Sequence, residues 1–165
     1  MDNKSFINLV AFDLSHKHIV NNWANYNNEF KELDYALRDG GWIDEYFNKK
    51  ETHIFAAVLN NELIGFTILS DDEYGTEFRI ALSPQHLGFG FGKLIAQKTF
   101  EKGFQELEKQ SIYLIVRVDN IRAIALYKKF NFRVVCEVQK KVNHKMVQFI
   151  KMEKLNHEWK NTSLL

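Results

Sequence analysis

Cysteine and proline are nearly missing from this 165-residue chain: each occurs once, as Cys136 and Pro84. One thiol cannot build an internal disulfide framework, and it fits a reducing compartment. One proline leaves no proline-rich hinge, and no linker, repeat or low-complexity tract breaks the sequence. Residues 1–165 are therefore expected to form a single domain. No apolar run is long enough to span a bilayer. The first residues lack the basic start, apolar core and small-residue cleavage site of a signal peptide. The expected location is cytoplasmic, with no membrane partner. An excess of one charge is missing as well. Lys and Arg number 22 against 21 Asp and Glu, a net charge of +1, so no whole-chain field favours nucleic acid. Metal-ligand clusters are missing too. His16-x-His18 has no matching Cys/His group and reads as helix-start surface, so no metal is expected. Cys136, in an apolar strand pattern, is expected to be buried and inert.

The chain has a 45% apolar content, ordinary for one packed core. Its periodicity predicts strands over residues 6–12, 52–59, 63–69, 76–82, 111–118, 132–138 and 146–152. Ser15 is a plausible N-cap for a helix through His18, Val20 and Trp23. Residues 22–28 are asparagine-rich and read as loop. A second helix is expected over 29–38, stopped by Gly40-Gly41, and a helical turn over 42–47. This region carries Trp23, Tyr26, Phe30, Tyr35, Trp42 and Tyr46 together with Glu32, Asp34, Asp44 and Glu45. It is either a helical pair packing aromatics on a sheet, or an acceptor cleft whose acids attract an amine. Asn60-Asn61 suits a tight hairpin turn, since both residues tolerate positive φ. Residues 70–75 form an acidic loop, and 139–145 a basic polar turn with Lys140, Lys141 and Lys145. Helices are expected over 91–108 and 121–130, and a loose tail from Asn156. Strands and helices in this order make an α/β or α+β sheet with helices packed against it.

One stretch organises the rest: Ser83-Pro84-Gln85-His86-Leu87-Gly88-Phe89-Gly90-Phe91-Gly92-Lys93-Leu94-Ile95. A strand that ends in glycines and turns into a helix leaves backbone N–H groups free at the positive end of the helix dipole. That is a seat for phosphate. A Walker A loop fails twice, because Leu87 stands where its first Gly belongs and Leu94 where its Ser or Thr belongs. A dinucleotide fingerprint fails too, since it needs glycine at Lys93 or Ile95. A third phosphate loop, Gln/Arg-x-x-Gly-x-Gly/Ala, is met by Gly90-Phe91-Gly92, with Leu87 in place of the usual Gln or Arg. Gln85 has the right spacing only if Gly88 and Gly90 are the pair. The first register is favoured because it sets Gly92 in the helix stripe with Ala96, Phe100, Gly103 and Leu107. The bland alternative is a glycine-rich turn with packing phenylalanines.

A second motif follows at Asn120-x-x-Ala123-x-x-Leu126-Tyr127, with Phe132 after a short loop. Together the two motifs, in this order, resemble the GNAT N-acetyltransferases, most nearly the ribosomal-protein alanine acetyltransferase group, over roughly residues 52–152. The resemblance implies the GNAT fold: a mixed, mostly antiparallel sheet of about seven strands, splayed between strands four and five, with helices on both faces. It implies acetyl-CoA as cosubstrate. The pantetheine arm would pair with strand four near Ile80, Ala81 and Leu82. The pyrophosphate would meet the N–H groups of Leu87, Gly88, Phe89, Gly90, Phe91, Gly92 and Lys93, Leu87 contributing backbone only. Asn120 would contact the cosubstrate while capping its helix. Tyr127 would give a proton to the departing thiolate; its rival role is a core tyrosine with a satisfied hydroxyl.

The base is open. Thr76 falls where relatives place a glutamate, and Glu77 is one residue away, a step that turns a strand side chain to the other face. Glu77 is the candidate base, against a surface or helix-facing carboxylate. Deprotonating a lysine-like amine near neutral pH costs roughly 4–5 kcal/mol, an α-amine about 1. Without a well-placed carboxylate, a peptide N-terminus or small α-amine is the easier acceptor. The expected function is transfer of acetyl from acetyl-CoA to a primary amine by direct attack on the thioester. The rivals are a non-catalytic acyl-CoA-binding regulatory module and a nucleotide-binding protein. A homodimer is a possible partner state, and the aromatic content leaves room for its face.

Overall fold

Seven strands form one hydrogen-bonded series in the order β1-β2-β3-β4-β5-β7-β6. They are β1 (Ile7–Ala11), β2 (Thr52–Leu59), β3 (Glu62–Asp72), β4 (Gly75–Leu82), β5 (Ser111–Arg117), β6 (Arg133–Val142) and β7 (Lys145–Leu155). The computed structural model describes residues 6–27 and 31–162. Contacts divide the chain into two compact units. One holds the residues up to Asp71 with Phe78–Lys102; the other holds Asp72–Glu77 with the residues from Gly103 onward.

In the first unit, β1 pairs antiparallel with β2 from Ile7↔Leu59 to Ala11↔Phe55. β2 pairs antiparallel with β3 from Thr52↔Ser70 to Leu59↔Glu62, with a bulge at Ala57/Val58. The hairpin turn is the predicted Asn60-Asn61, with φ of 49° and 65°; a β-branched residue would be strained there. Helix α1 (Leu14–Asn21) starts two residues earlier than a Ser15 cap predicts. Its cap is Asp13, whose carboxylate accepts from the His16 N–H while the His16 ring accepts from the Asp13 N–H. Ser15, the predicted cap, donates to Asp13 instead. Where a helix over 29–38 was expected, a 3₁₀ turn spans Lys31–Leu37; residues 28–30 lie outside the described residues. Arg38 explains the tight turn. Its guanidinium donates to the carbonyls of Val20, Asn21 and Trp23, at and just past the end of α1. Helix α2 (Trp42–Tyr46) follows.

One sheet face of this unit buries Phe66, Ile68 and Ala56 against Val20, Leu37, Ile43 and Tyr46. The other buries Ile7, Ala57 and Ile64 against Ile95 of helix α3 (Phe91–Glu101). Gly65 lets β3 and β4 approach: a Cβ there would stand 2.9 Å from the Ala81 carbonyl.

In the second unit, β4 pairs parallel with β5 at Thr76↔Ile112 and Glu77↔Tyr113. β5 pairs antiparallel with β7, and β7 with β6. A π turn over Lys102–Glu106 continues α3, where helix was expected to run to 108. Helix α4 (Ile121–Lys129) is stopped by Asn131 at φ 63°, as predicted.

Three expectations fail here. The turn of the last hairpin is Asn143-His144, both at positive φ, so Lys140 and Lys141 lie within β6. The tail is helix α5 (Asn156–Thr162), held by Asn156 donating to the carbonyls of Phe104 and Lys109 and by Trp159 stacked on Phe104 at 5.5 Å. Cys136 is exposed, because β6 is an edge strand rather than a core strand. Among the described residues no helix is long and apolar enough to cross a membrane.

Candidate functional site

The first unit holds the glycine turn. β4 ends at Leu82, Pro84–His86 make one 3₁₀ turn, and Gly88 and Gly90 take φ of 84° and 81°. Gly90 is the N-cap of α3 and brings no side chain to it. The N–H groups of Phe91, Gly92 and Lys93 precede the first bond of the helix. Among the described residues, no N–H from 87 to 93 is spent on a main-chain acceptor outside the helix. An anion placed there meets several donors and the helix dipole at once. Gly92 sits inside the first turn, where an added Cβ would lie 3.3 Å from the Leu82 side chain. Phe89 is 59% exposed at the rim. Lys93, also exposed, adds a positive charge to the same turn.

Ile80, Ala81 and Leu82 line a cavity of about 120 Å³ with Tyr26, Leu33, Ala36, Trp42 and Leu87. Tyr26 donates its hydroxyl to the Leu82 carbonyl at 2.5 Å. Burial pushes its phenol pKa up, and Asp34 adds to the rise. On β4, the Arg79 guanidinium lies 5.0 Å from the Trp42 ring and 5.1 Å from the Tyr46 ring. Two acids of this region hold structure. Asp34 accepts from the Tyr26 N–H, and Asp44 accepts from Lys17 at 2.5 Å and from the Gly40 N–H at 2.6 Å. A larger cavity of about 360 Å³, bordered by Trp23, Asn61, Glu62 and Gln85, contains none of the predicted site residues.

The second unit holds Glu77, Asn120 and Tyr127. Asn120 caps α4 by accepting from the Ala123 N–H at 3.2 Å. Tyr127 is buried, packs its ring on Phe132 at 6.0 Å, and has its phenol pKa pushed up by that burial. It therefore stays protonated through the neutral range and keeps a proton to donate. Glu77 is half-buried, whereas Thr76, on the opposite face of β4, is buried. The Tyr113 hydroxyl bonds to Asp72 and lies 3.4 Å from a Glu77 oxygen. Burial first, then Asp72 and Glu77, push the Tyr113 phenol pKa up. Lys151 sits 4.4 Å over the Tyr113 ring. Sequence reading missed this cluster. The sequence pattern reads Asp72 as loop and Tyr113 as part of an apolar run, and 41 residues separate them. No local pattern signals such a pairing. No group of three His, Cys, Asp or Glu among the described residues is arranged to hold a metal.

Comparison with known proteins bears on this geometry. The Acetyltransferase (GNAT) family matches residues 18–132. The spermidine N(1)-acetyltransferase of Vibrio cholerae is 30% identical over 128 residues, 73% of each chain. The Escherichia coli enzyme of that name is 27% identical, over 76% of this chain and 70% of its own. The ribosomal protein bS18 alanine N-acetyltransferase of Haemophilus influenzae is 44% identical but over 82 residues, 47% of this chain and 53% of its own. The expected nearness to the alanine group is thus corrected toward spermidine enzymes, which match over a longer stretch. A solved Vibrio cholerae spermidine N-acetyltransferase in complex with CoA and spermine superposes with a TM-score of 0.78 at 22% identity, covering 95% of this chain and 99% of its own. That likeness shows the fold.

Proposed function

This chain belongs to the Acetyltransferase (GNAT) family, and from that premise we propose that it acetylates a primary amine of a small polyamine. It is an acyltransferase, and acetyl-CoA is its donor. The observation that carries the acceptor is the likeness to the Vibrio cholerae spermidine enzyme over 73% of each chain. Chemistry supports it. A polyamine ammonium has a lysine-like pKa and needs a base to lose its proton near neutral pH. The apparent lack of a placed carboxylate favoured an α-amine in the sequence; Glu77 and Asp72 beside Tyr113 remove that objection.

Glu77 takes the ammonium proton. The freed nitrogen attacks the thioester carbonyl, the C–S bond breaks, the second nitrogen proton passes to solvent to leave the neutral amide, and CoA leaves as thiolate. Tyr127 donates a hydrogen bond to the departing sulfur. Its phenol, raised by burial, is a weaker acid than a thiol, so it stabilises the thiolate more than it titrates it. The N–H groups of Leu87, Gly88, Phe89, Gly90, Phe91, Gly92 and Lys93 hold the pyrophosphate. Main-chain groups of Ile80 and Ala81 pair with the pantetheine arm, and Asn120 lies along the cosubstrate. The Leu82 carbonyl, bonded to Tyr26, is the weakest member of that set.

Thiol release from acetyl-CoA over a panel of spermidine, spermine, a peptide with N-terminal alanine, and lysine tests the acceptor. Spermidine or spermine is expected to give the highest kcat/KM. A peptide N-terminus turning over more than tenfold faster overturns the polyamine assignment.

A further inference from the structure

Tyr113 stands between two carboxylates. It pairs with Glu77 across the parallel β4–β5 ladder, so the two side chains leave the sheet on the same face. Its ring is buried, with Lys151 Nζ 4.4 Å above it, and a ring fixed in this way carries its hydroxyl to one place. That hydroxyl donates to Asp72 Oδ2 and lies 3.4 Å from Glu77 Oε2. A phenol has one proton to give and lone pairs to accept with. The closer contact is to Asp72, so Asp72 holds the proton and a lone pair is left for Glu77. Asp72 is itself tied down, because its Oδ1 accepts from the Tyr74 N–H at 2.7 Å. Asp72 is exposed, whereas Glu77 is half-buried. The three groups therefore lead from the candidate base to water.

We propose that Tyr113 and Asp72 are positioning residues for the base, a hydrogen-bonded arm that takes over the proton Glu77 removes from the acceptor. The proposal rests on the reading of Glu77 as that base. When Glu77 gains the ammonium proton, its new O–H donates to the waiting Tyr113 lone pair. The Tyr113 proton passes to Asp72 as the Glu77 proton passes to Tyr113. One proton has then moved from Glu77 to Asp72, Tyr113 is again a neutral phenol, and Asp72 returns the proton to water. Burial first, then Asp72 and Glu77, hold the Tyr113 phenol well above its ordinary range, so no tyrosinate is stored on the way. A hydrogen bond that favours the protonated carboxyl also makes Glu77 a stronger proton acceptor. The arm has work only when the acceptor arrives as an ammonium. A nitrogen that is already neutral needs no base before it attacks.

Steady-state kinetics of the full chain with two acceptors test this. One is spermidine; the other is 1-aminooxy-3-aminopropane, whose aminooxy nitrogen is neutral at pH 7. Tyr113→Phe keeps the ring and removes the hydroxyl. Asp72→Asn keeps the size and removes the proton-accepting charge at an exposed position. Both are expected to retain the wild-type circular dichroism. Each is expected to lower kcat for spermidine about tenfold, with the KM for acetyl-CoA within about twofold of the wild type. Acetylation of the aminooxy nitrogen is expected to change less than about twofold, a split that a merely structural role would not produce. Glu77→Gln is the reference. If it is slow on spermidine while Tyr113→Phe or Asp72→Asn keeps the full rate, the arm is overturned and the base reading stands. If Glu77→Gln keeps the full rate, or the wild-type chain turns over neither acceptor, both readings fall. Equal slowing on the two acceptors would make Tyr113 and Asp72 structural supports and overturn the proposal.

Discussion

At the residue scale the proposed chemistry turns on one carboxylate, Glu77. Glu77 stands one strand position from the buried Thr76 and on the other face of β4. Its value as a base is greatest when the acceptor is an ammonium. Glu77→Gln is expected to lower kcat/KM for spermidine about 10²-fold at neutral pH. The deficit should shrink as pH rises toward the amine's own pKa, because solvent then does the deprotonation; a pH–rate profile of both proteins checks this. Lys154 makes a separate prediction. It is fully buried, donates to the Phe130 carbonyl at 2.6 Å and lies over the Trp159 ring. Burial lowers its pKa below the ordinary 10.5, with the Glu158 charge partly offsetting the fall. Between the lowered value and 10.5 the unfolded chain binds more protons than the folded one, so this group's contribution to stability rises with pH. Lys154→Met should flatten that limb in pH-dependent denaturant titrations. It should also cost about 1–3 kcal/mol, because the carbonyl at the end of α4 loses its donor.

Elements were legible where period and turn chemistry agreed. β2 was predicted to the residue, because an apolar run meets an Asn-Asn turn that forces a hairpin. The glycine turn and the starts of both motif helices fall where the pattern put them. Failures occurred where long-range partners override local preference. Residues 31–37 have helical spacing, yet Arg38 is drawn to the end of α1 and the segment tightens to 3₁₀. The tail becomes helical because Trp159 finds Phe104. Cys136 is exposed because nothing local reveals that β6 lies at an edge. In the candidate site, the glycine seat was readable from residue type. The Asp72–Tyr113–Glu77 cluster was not, because only strand pairing assembles it. The glycines also separate backbone from space. Gly90 requires positive φ and Gly92 does not. Gly90→Ala is expected to destabilise by about 1 kcal/mol and raise the KM for acetyl-CoA about tenfold. Gly92→Ala meets only the end of Leu82 at 3.3 Å and should leave Tm within a few degrees of the wild type. Thermal melts and initial rates at varied acetyl-CoA distinguish the two.

Over the whole molecule, near-neutral charge gives no bulk attraction for a polycation. In the proposed reading acceptor capture then depends on local carboxylates, and raising ionic strength from about 50 to about 300 mM should raise the KM for spermidine only a few-fold. Family membership accounts for acetyl-CoA as donor; in the proposed mechanism the amide-lined turn holds the cosubstrate and Tyr127 assists the departing thiolate. The most direct measurement is a reaction of the wild-type chain and Tyr127→Phe with acetyl-CoA and spermidine, following thiol release and the mass of the product. The wild-type chain should form acetylspermidine with one CoA released per acetyl transferred. Tyr127→Phe should bind acetyl-CoA within about twofold of it but turn over roughly 10²-fold or more slowly. A wild-type chain that acetylates no amine, or a Tyr127→Phe variant that keeps the full rate, would contradict the account.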